Sequence, residues 1–321
     1  MKEQSTCLKQ SGRSASALAA ERAATSTSDK ENTVTTQLHD KTVLITGGTG
    51  GIGQQTALGL ARSGAHVIIT GRDRARGEAA RTAIIQAGGN PQVDLLLGDL
   101  SSQAEVRRLA AAVGARYKRL DVLINNAGLL EATRRLTVDG VEAHFAVNVV
   151  APFLLTQLLF GLLQHSAPAR VVNLSGGMPQ VQLDRSDLQA ERSFRGLSTY
   201  SKAKAAMMAM SYEYAQRVAG SGVAINVAYP GGASTAMTGA MTPEMLPPAL
   251  RLAWPIFRLL MRDDRGLSAT KAARSSVFLA ASPELAGVSG HYYDTNSKRV
   301  AWPKAVLDPE IAPQFGSYAR Q

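Results

Sequence analysis

From residue 41 onward, short and mostly apolar runs alternate with longer stretches of helical periodicity. The first run is Thr42-Val43-Leu44-Ile45-Thr46, and others span 65–70, 93–97, 122–124, 170–175, 222–229 and 290–293. Runs of this length and apolar density read as buried strands. Between them Ala57, Leu58, Leu60 and Ala61 recur at helical spacing, and helices are predicted over 74–87, 103–117 and 268–281. Gly88-Gly89 supplies a stop for the helix over 74–87. A further helix is predicted through Thr199-Tyr200-Ser201-Lys202-Ala203-Lys204, with Ser198 as its N-cap and Ala205, Ala206, Met207 and Met208 behind it. Strands alternating with helices imply an α/β fold: one doubly wound, mostly parallel sheet of about seven strands flanked by helices.

Candidate chemistry sits at the ends of these runs. The first strand leads into Gly47-Gly48-Thr49-Gly50-Gly51-Ile52-Gly53 and then a helix. Strand, glycine turn and helix together open a dinucleotide-binding unit, in which backbone amides and a helix N-terminus face a pyrophosphate. The same glycines would also serve a plain turn. Tyr200 and Lys204, four residues apart, share one helical face. A cation near a phenol favours phenolate, which makes a tyrosine usable as an acid or base near neutrality. The spacing equally describes a surface tyrosine beside a solvated lysine.

The spacing of the loop, Gly47, Gly51 and Gly53 behind Thr46, resembles the compact members of the short-chain dehydrogenase/reductase family, which carry Thr-Gly-x-x-x-Gly-x-Gly here. The resemblance extends over roughly 41–303 and implies a single Rossmann-type domain. It implies that Gly47, Gly51, Ile52 and Gly53 hold a nicotinamide cofactor's phosphates. It also implies that Asp99 caps the adenine pocket, with the Leu100 amide touching the ring. Asn125-Asn126-Ala127-Gly128 matches the family pattern in full, and Asn126, Ala127 and Gly128 would stand at the ligand-binding end of the sheet. Asn148, inside an apolar helical run, is expected to bend the helix and hold a relay water. Pro230, Gly231 and Thr235 would hold the nicotinamide carboxamide and phosphates. Tyr200 would be the general acid/base, and Lys204 would lower its pKa and bind the ribose.

The chain departs from the pattern at one position. Strict register puts the family's carbonyl-binding serine at Gly176, whereas the chain has Ser175 one residue earlier. A slipped register makes Ser175 the catalytic serine; otherwise the site is weakened, inactive, or served by another hydroxyl. The carboxylate that would bind a ribose 2′-hydroxyl is expected where Gly71 stands, and Arg72 follows it. NADP(H) is therefore favoured over NAD(H), with a solvated loop arginine as the alternative reading of Arg72, and Asp73 beside it tempers the preference. The stretch 294–299, Asp187-Leu188-Gln189 and the arginines ahead of Tyr200 are similar to the retinol-dehydrogenase-like branch.

Residues 237–267 carry many Met and Leu side chains broken by Pro243, Pro247, Pro248 and Pro255. Such a stretch suits a lid over a hydrophobic substrate. It equally suits an amphipathic segment docked on the core, or on a membrane surface through Arg251, Arg258 and Arg262. The implied function is interconversion of a hydrophobic ketone or aldehyde and its alcohol by hydride transfer. The alternative is an impaired, nucleotide-binding relative with a regulatory or binding role.

Composition narrows the field. The net charge of +10 comes without a block of consecutive basic residues, so it favours anions in general over nucleic acid. A single cysteine, Cys7, excludes an intrachain disulfide framework and suits a reducing, cytoplasmic setting, with a peripheral membrane contact compatible. The five histidines show no metal-ligand spacing, so no metal is expected. No run of 18 or more apolar residues argues for a spanning helix. Residues 1–40, rich in Ser, Thr, Ala and Gln, are expected to be a disordered extension, and 304–321 a tail. The family resemblance implies a homo-oligomer, dimer or tetramer.

Overall fold

The structure, a computed structural model, describes residues 38–178, 181–233, 235–246, 251–252, 254–255 and 268–308. The strands are β1 (Thr42–Ile45), β2 (His66–Gly71), β3 (Val93–Leu97), β4 (Val122–Asn125), β5 (Ala169–Leu174), β6 (Val223–Ala228), β7 (Tyr292–Tyr293) and β8 (Arg299–Val300). They form one sheet in the order β3-β2-β1-β4-β5-β6-β7-β8, parallel except for the final antiparallel pair. The eighth strand was not expected. It is a pair of exposed residues returning from the turn at Asp294, too short and too polar to stand out as a strand.

The helices are α1 (Gly51–Arg62), α2 (Arg74–Gly88), α3 (Gln103–Arg116), α4 (Ala143–His165), α5 (Gly196–Arg217), α6 (Ala236–Gly239) and α7 (Ala269–Ala281). Alternate strand residues face opposite layers. Val43 and Ile45 pack with Ala57 and Leu60 of α1 and Leu279 of α7, while Leu44 packs with Leu109 of α3 and Leu155 of α4. Both faces are covered, which is why the strands read as predominantly apolar runs. Helix α2 is capped at both ends. Asp73 accepts from the Arg76 amide at the start of α2, and Gly89 closes it at φ +67°.

Three expectations shift. Helix α5 begins at Gly196, ahead of Ser198, and Ser198 lies in its first turn. The Arg195 amide instead donates to Thr199 Oγ1 at 3.2 Å. The folded domain reaches back past Lys41, because Leu38 is buried and its amide donates to the Ser63 carbonyl at 2.6 Å. It also extends past residue 303, because Val306 is buried against the cluster containing Tyr292. Residues 1–37, most of the expected lid and the tail beyond 308 lie outside the described residues.

Helix α4 is long and apolar enough to cross a membrane, which the residue pattern did not predict. Its Leu154, Leu155, Leu159 and Leu163 are buried against the sheet layer. It is the core helix of this fold, and Ala146–Val150 within it adopt a π turn.

Candidate active site

The carboxyl ends of β1 and β4 diverge to helices on opposite faces, and a cavity of about 650 Å³ opens there. The glycine loop forms one wall. Gly47 sits at φ +65° and Gly51 at φ +53°, conformations that side chains resist. A β-carbon on Gly53 would overlap the Gly47 carbonyl and the Asn126 amide. The loop is held by Thr46, whose hydroxyl accepts from the amides of Asn126 and Ala127, both at 3.0 Å. Asn126 returns a bond from Nδ2 to the Thr46 carbonyl at 2.8 Å. The other wall is Thr235, whose methyl would lie 3.2 Å from a β-carbon on Gly51. The backbone amides thus face a space that admits a pyrophosphate, and the fit to a dinucleotide is good.

At the far end of β2, a β-carbon on Gly71 would stand 2.5 Å from the Thr49 methyl, so a carboxylate side chain there would have to displace Thr49. Asp73 is occupied as the cap of α2. Arg72 and Arg76 both line the cavity at this end, and Arg76 Nε donates to the Thr49 carbonyl at 3.3 Å. Asp99 and Leu100 line it nearby, with Asp99 Oδ1 accepting from the Ser101 amide.

Helix α5 brings Tyr200 and Lys204 to the opposite end, both buried. Lys204 Nζ donates to the Leu174 carbonyl at 2.9 Å and lies 5.9 Å from the Tyr200 ring centre. Burial lowers the Lys204 pKa to about 8. Burial, with Tyr229 nearby, raises the Tyr200 pKa above that of an ordinary phenol. The expected lowering of the tyrosine by its lysine is therefore outweighed by desolvation, and Tyr200 is held in its protonated form. Asn148 does not line the cavity but stands behind it. Its Nδ2 donates to the carbonyls of Leu129 and His144, and its Oδ1 accepts from the Leu129 amide. These bonds tie the π turn to the loop after β4, beside Gly128 and Lys204.

Gly176 and Ser175 are placed differently from each other. A β-carbon on Gly176 would lie 2.6 Å from the Tyr200 hydroxyl, so this is the residue facing the tyrosine. Ser175 is buried, and its Oγ donates to the Ala228 carbonyl at 3.2 Å. The Ser175 hydroxyl thus has protein partners other than Tyr200, the Ala228 carbonyl and the Tyr292 side chain.

The remaining wall is apolar. Leu130, Leu197, Met237 and Met241 line it, and Met241, Met245 and Leu246 pack into a cluster with Leu130, Leu197 and Trp254. Every residue expected to bind cofactor lines this one cavity, as do Tyr200, Lys204 and Ser175. Sequence reasoning missed Thr46, Arg76 and Tyr229, which also shape it. Thr46 stood beside the glycine motif and Arg76 one helical turn beyond Arg72. Tyr229 carried no signal beyond its place before Pro230.

Residues 41–246 match the family model described as short chain dehydrogenase. Human retinol dehydrogenase 14 is 38% identical over 291 residues, covering 86% of this chain and 84% of that protein. Human retinol dehydrogenase 13 is 38% identical over 278 residues, covering 85% and 81%. Among solved structures, the Pseudomonas aeruginosa RhlG/NADP active-site complex superposes with a TM-score of 0.62 at 29% identity, covering 84% of this chain and 98% of that one.

Proposed function

The chain belongs to the short-chain dehydrogenase family, and from that membership we propose that it interconverts a bulky hydrophobic alcohol and its aldehyde or ketone with NADP(H). The observation that carries the reading is the shared cavity: the Tyr200 hydroxyl and the Lys204 ammonium stand at one end of the space that begins at the glycine loop. The preference for the phosphorylated cofactor is supported by the crowded position at Gly71, by the engagement of Asp73 as a cap, and by Arg72 and Arg76 at that end. The RhlG complex, similar in fold, holds NADP. The hydrophobic substrate is supported by the Leu and Met wall and by the retinol named for both relatives.

The bound nicotinamide supplies or receives the hydride. The residues of this chain do the rest. Tyr200, protonated at neutral pH because it is buried, donates its proton to the oxygen of the carbonyl as charge develops there. Lys204 carries its charge below about pH 8 and stabilises the phenolate left behind. Asn148 fixes the loop carrying Leu129 and Gly128, and so the floor against which Lys204 lies. The apolar wall excludes water and turns the substrate's reactive end toward Tyr200.

The test is titration of the purified protein with NADPH and NADH by nicotinamide fluorescence, then turnover of a panel of hydrophobic alcohols and carbonyls. Tyr200→Phe is expected to remove turnover by at least about 1000-fold while leaving the cofactor Kd within about 2-fold. Retained turnover in that variant removes Tyr200 from its role. Gly176 supports a second reading, nucleotide binding without turnover, which tight NADPH binding with no substrate consumed would favour.

A further inference from the structure

The reductase reading leaves one chemical requirement unmet. A single donor, Tyr200, faces the carbonyl oxygen, because Gly176 has no side chain and the Ser175 hydroxyl is engaged with the Ala228 carbonyl and the Tyr292 side chain. An oxygen that gains charge in the transition state is stabilised by a second fixed donor.

We infer that Tyr229 is that donor, its hydroxyl holding the substrate's carbonyl oxygen beside Tyr200. The inference rests on the reading of the site as a carbonyl reductase and extends it to a residue that carried no sequence signal. Strand register places Tyr229 there. Leu174 of β5 pairs with Ala228 of β6, and the Ser175 amide donates to the Ala228 carbonyl at 2.9 Å. Ser175 and Tyr229 therefore emerge side by side at the strand ends, with Gly176 next along. Tyr229 packs against the apolar cluster to which Ala203 and Met207 of α5 belong. Both tyrosines line the same cavity. Pro230 behind it biases Tyr229 to an extended backbone, which limits how the ring can swing. Among the described residues none accepts a hydrogen bond from the Tyr229 hydroxyl, so its proton is free for a ligand. The two phenols lie close enough for Tyr229 to contribute to the raised pKa of Tyr200.

The chemistry balances without consuming Tyr229. In reduction the carbon–oxygen π bond breaks, the carbon gains a hydride with its two electrons from the reduced nicotinamide, and the oxygen gains the Tyr200 proton. Tyr229 keeps its proton throughout and only shares it. With a primary amide of matching chain length, which offers a carbonyl oxygen but accepts no hydride, the same two bonds form and no reaction follows.

Two readouts test the inference on the full chain with NADPH. The first is kcat and KM for reduction of a hydrophobic aldehyde by wild type, Tyr229→Phe and Ser175→Ala. The second is affinity of the NADPH complex for a long-chain primary amide, by quenching of nicotinamide fluorescence. Tyr229→Phe is expected to lower kcat by about 100-fold, to weaken the amide about 10-fold, and to leave the NADPH Kd unchanged. Ser175→Ala is expected to stay within about 3-fold of wild type in both. A Tyr229→Phe enzyme that matches wild type in kcat and amide affinity overturns the inference while the reductase reading stands. A collapse confined to Ser175→Ala also overturns it and returns the role to Ser175. A wild-type protein that binds NADPH yet neither reduces any carbonyl nor binds the amide overturns both readings together.

Discussion

A lysine with its ammonium buried against a backbone carbonyl is a costly residue to fold, and Lys204 is one. Burial brings its pKa from 10.5 down to about 8, a difference worth about 3 kcal/mol. The sign follows from proton counting. Between about pH 8 and 10.5 the unfolded chain holds the Lys204 proton and the folded one does not, so this group's contribution to stability rises with pH across that window. Below about pH 8 both states are protonated and the cost is present in full. Lys204→Met is therefore expected to be more stable than wild type at pH 7 by about 2 kcal/mol, allowing for the lost bond to Leu174, and inactive. The advantage should shrink as pH is raised from 8 to 10, as read by urea denaturation at each pH. An advantage that stays constant over that range contradicts the account. Lys204 and Tyr200 were legible in the sequence because helical spacing alone puts them on one face. Which of Ser175 and Gly176 faces Tyr200 was not, since a one-residue difference in where β5 ends reverses the answer. Tyr229 was hidden for another reason: a tyrosine at a strand end reads the same whether its hydroxyl packs away or meets a ligand.

At the scale of elements, the strands were visible because both sheet faces are covered and most of their residues are apolar, with few exceptions such as Asp94, Asn173 and Asn226. The π turn in α4 was not visible, because one extra residue per turn changes hydrophobic periodicity less than the noise within a short window. It nonetheless contains a residue the sequence flagged. Asn148 donates to the His144 carbonyl within its own helix and to the Leu129 carbonyl outside it. Asn148→Ala would strip Leu129, itself half-buried, of a partner at its amide and another at its carbonyl, and would leave a hole at the fully buried Asn148 position. Destabilisation of about 2–4 kcal/mol is expected by chemical denaturation, together with weaker turnover as the loop under Lys204 loosens. A change below about 0.5 kcal/mol would show that water or backbone adjustment satisfies these groups and that the loop is held by something else. Glu142 reinforces the same element. Burial alone would raise its pKa, yet bonds from His144 and Phe145 hold it below the usual carboxylate range, and the carboxylate caps the start of α4.

At the scale of the molecule, a mostly parallel, doubly wound sheet was readable from the alternation of elements, because each parallel pair needs a crossover helix. Composition left a question that the fold sharpens. The chain carries a net charge of +10, and its most apolar helix, α4, is buried as the core and carries Asn148. A membrane contact through the described residues would therefore be peripheral, made by surface groups. The described part of the expected lid has the right chemistry: Leu252 is 93% exposed beside Arg251, while Met241, Met245 and Leu246 turn inward to the substrate wall. An apolar side chain in water next to a cation is the pattern that partitions to an anionic lipid surface. The protein is expected to co-sediment with vesicles containing about one-third phosphatidylserine and to stay in solution with phosphatidylcholine alone, the bound fraction falling as salt rises from 0.05 to about 0.5 M. Leu252→Glu with Arg251→Glu should cut vesicle binding at least about 5-fold while leaving the NADPH Kd unchanged. Equal binding to both vesicle types would assign the contact to apolar insertion without charge. No binding to either would leave the basic surface to the anionic cofactor, and the Met and Leu residues of this stretch to the substrate wall alone.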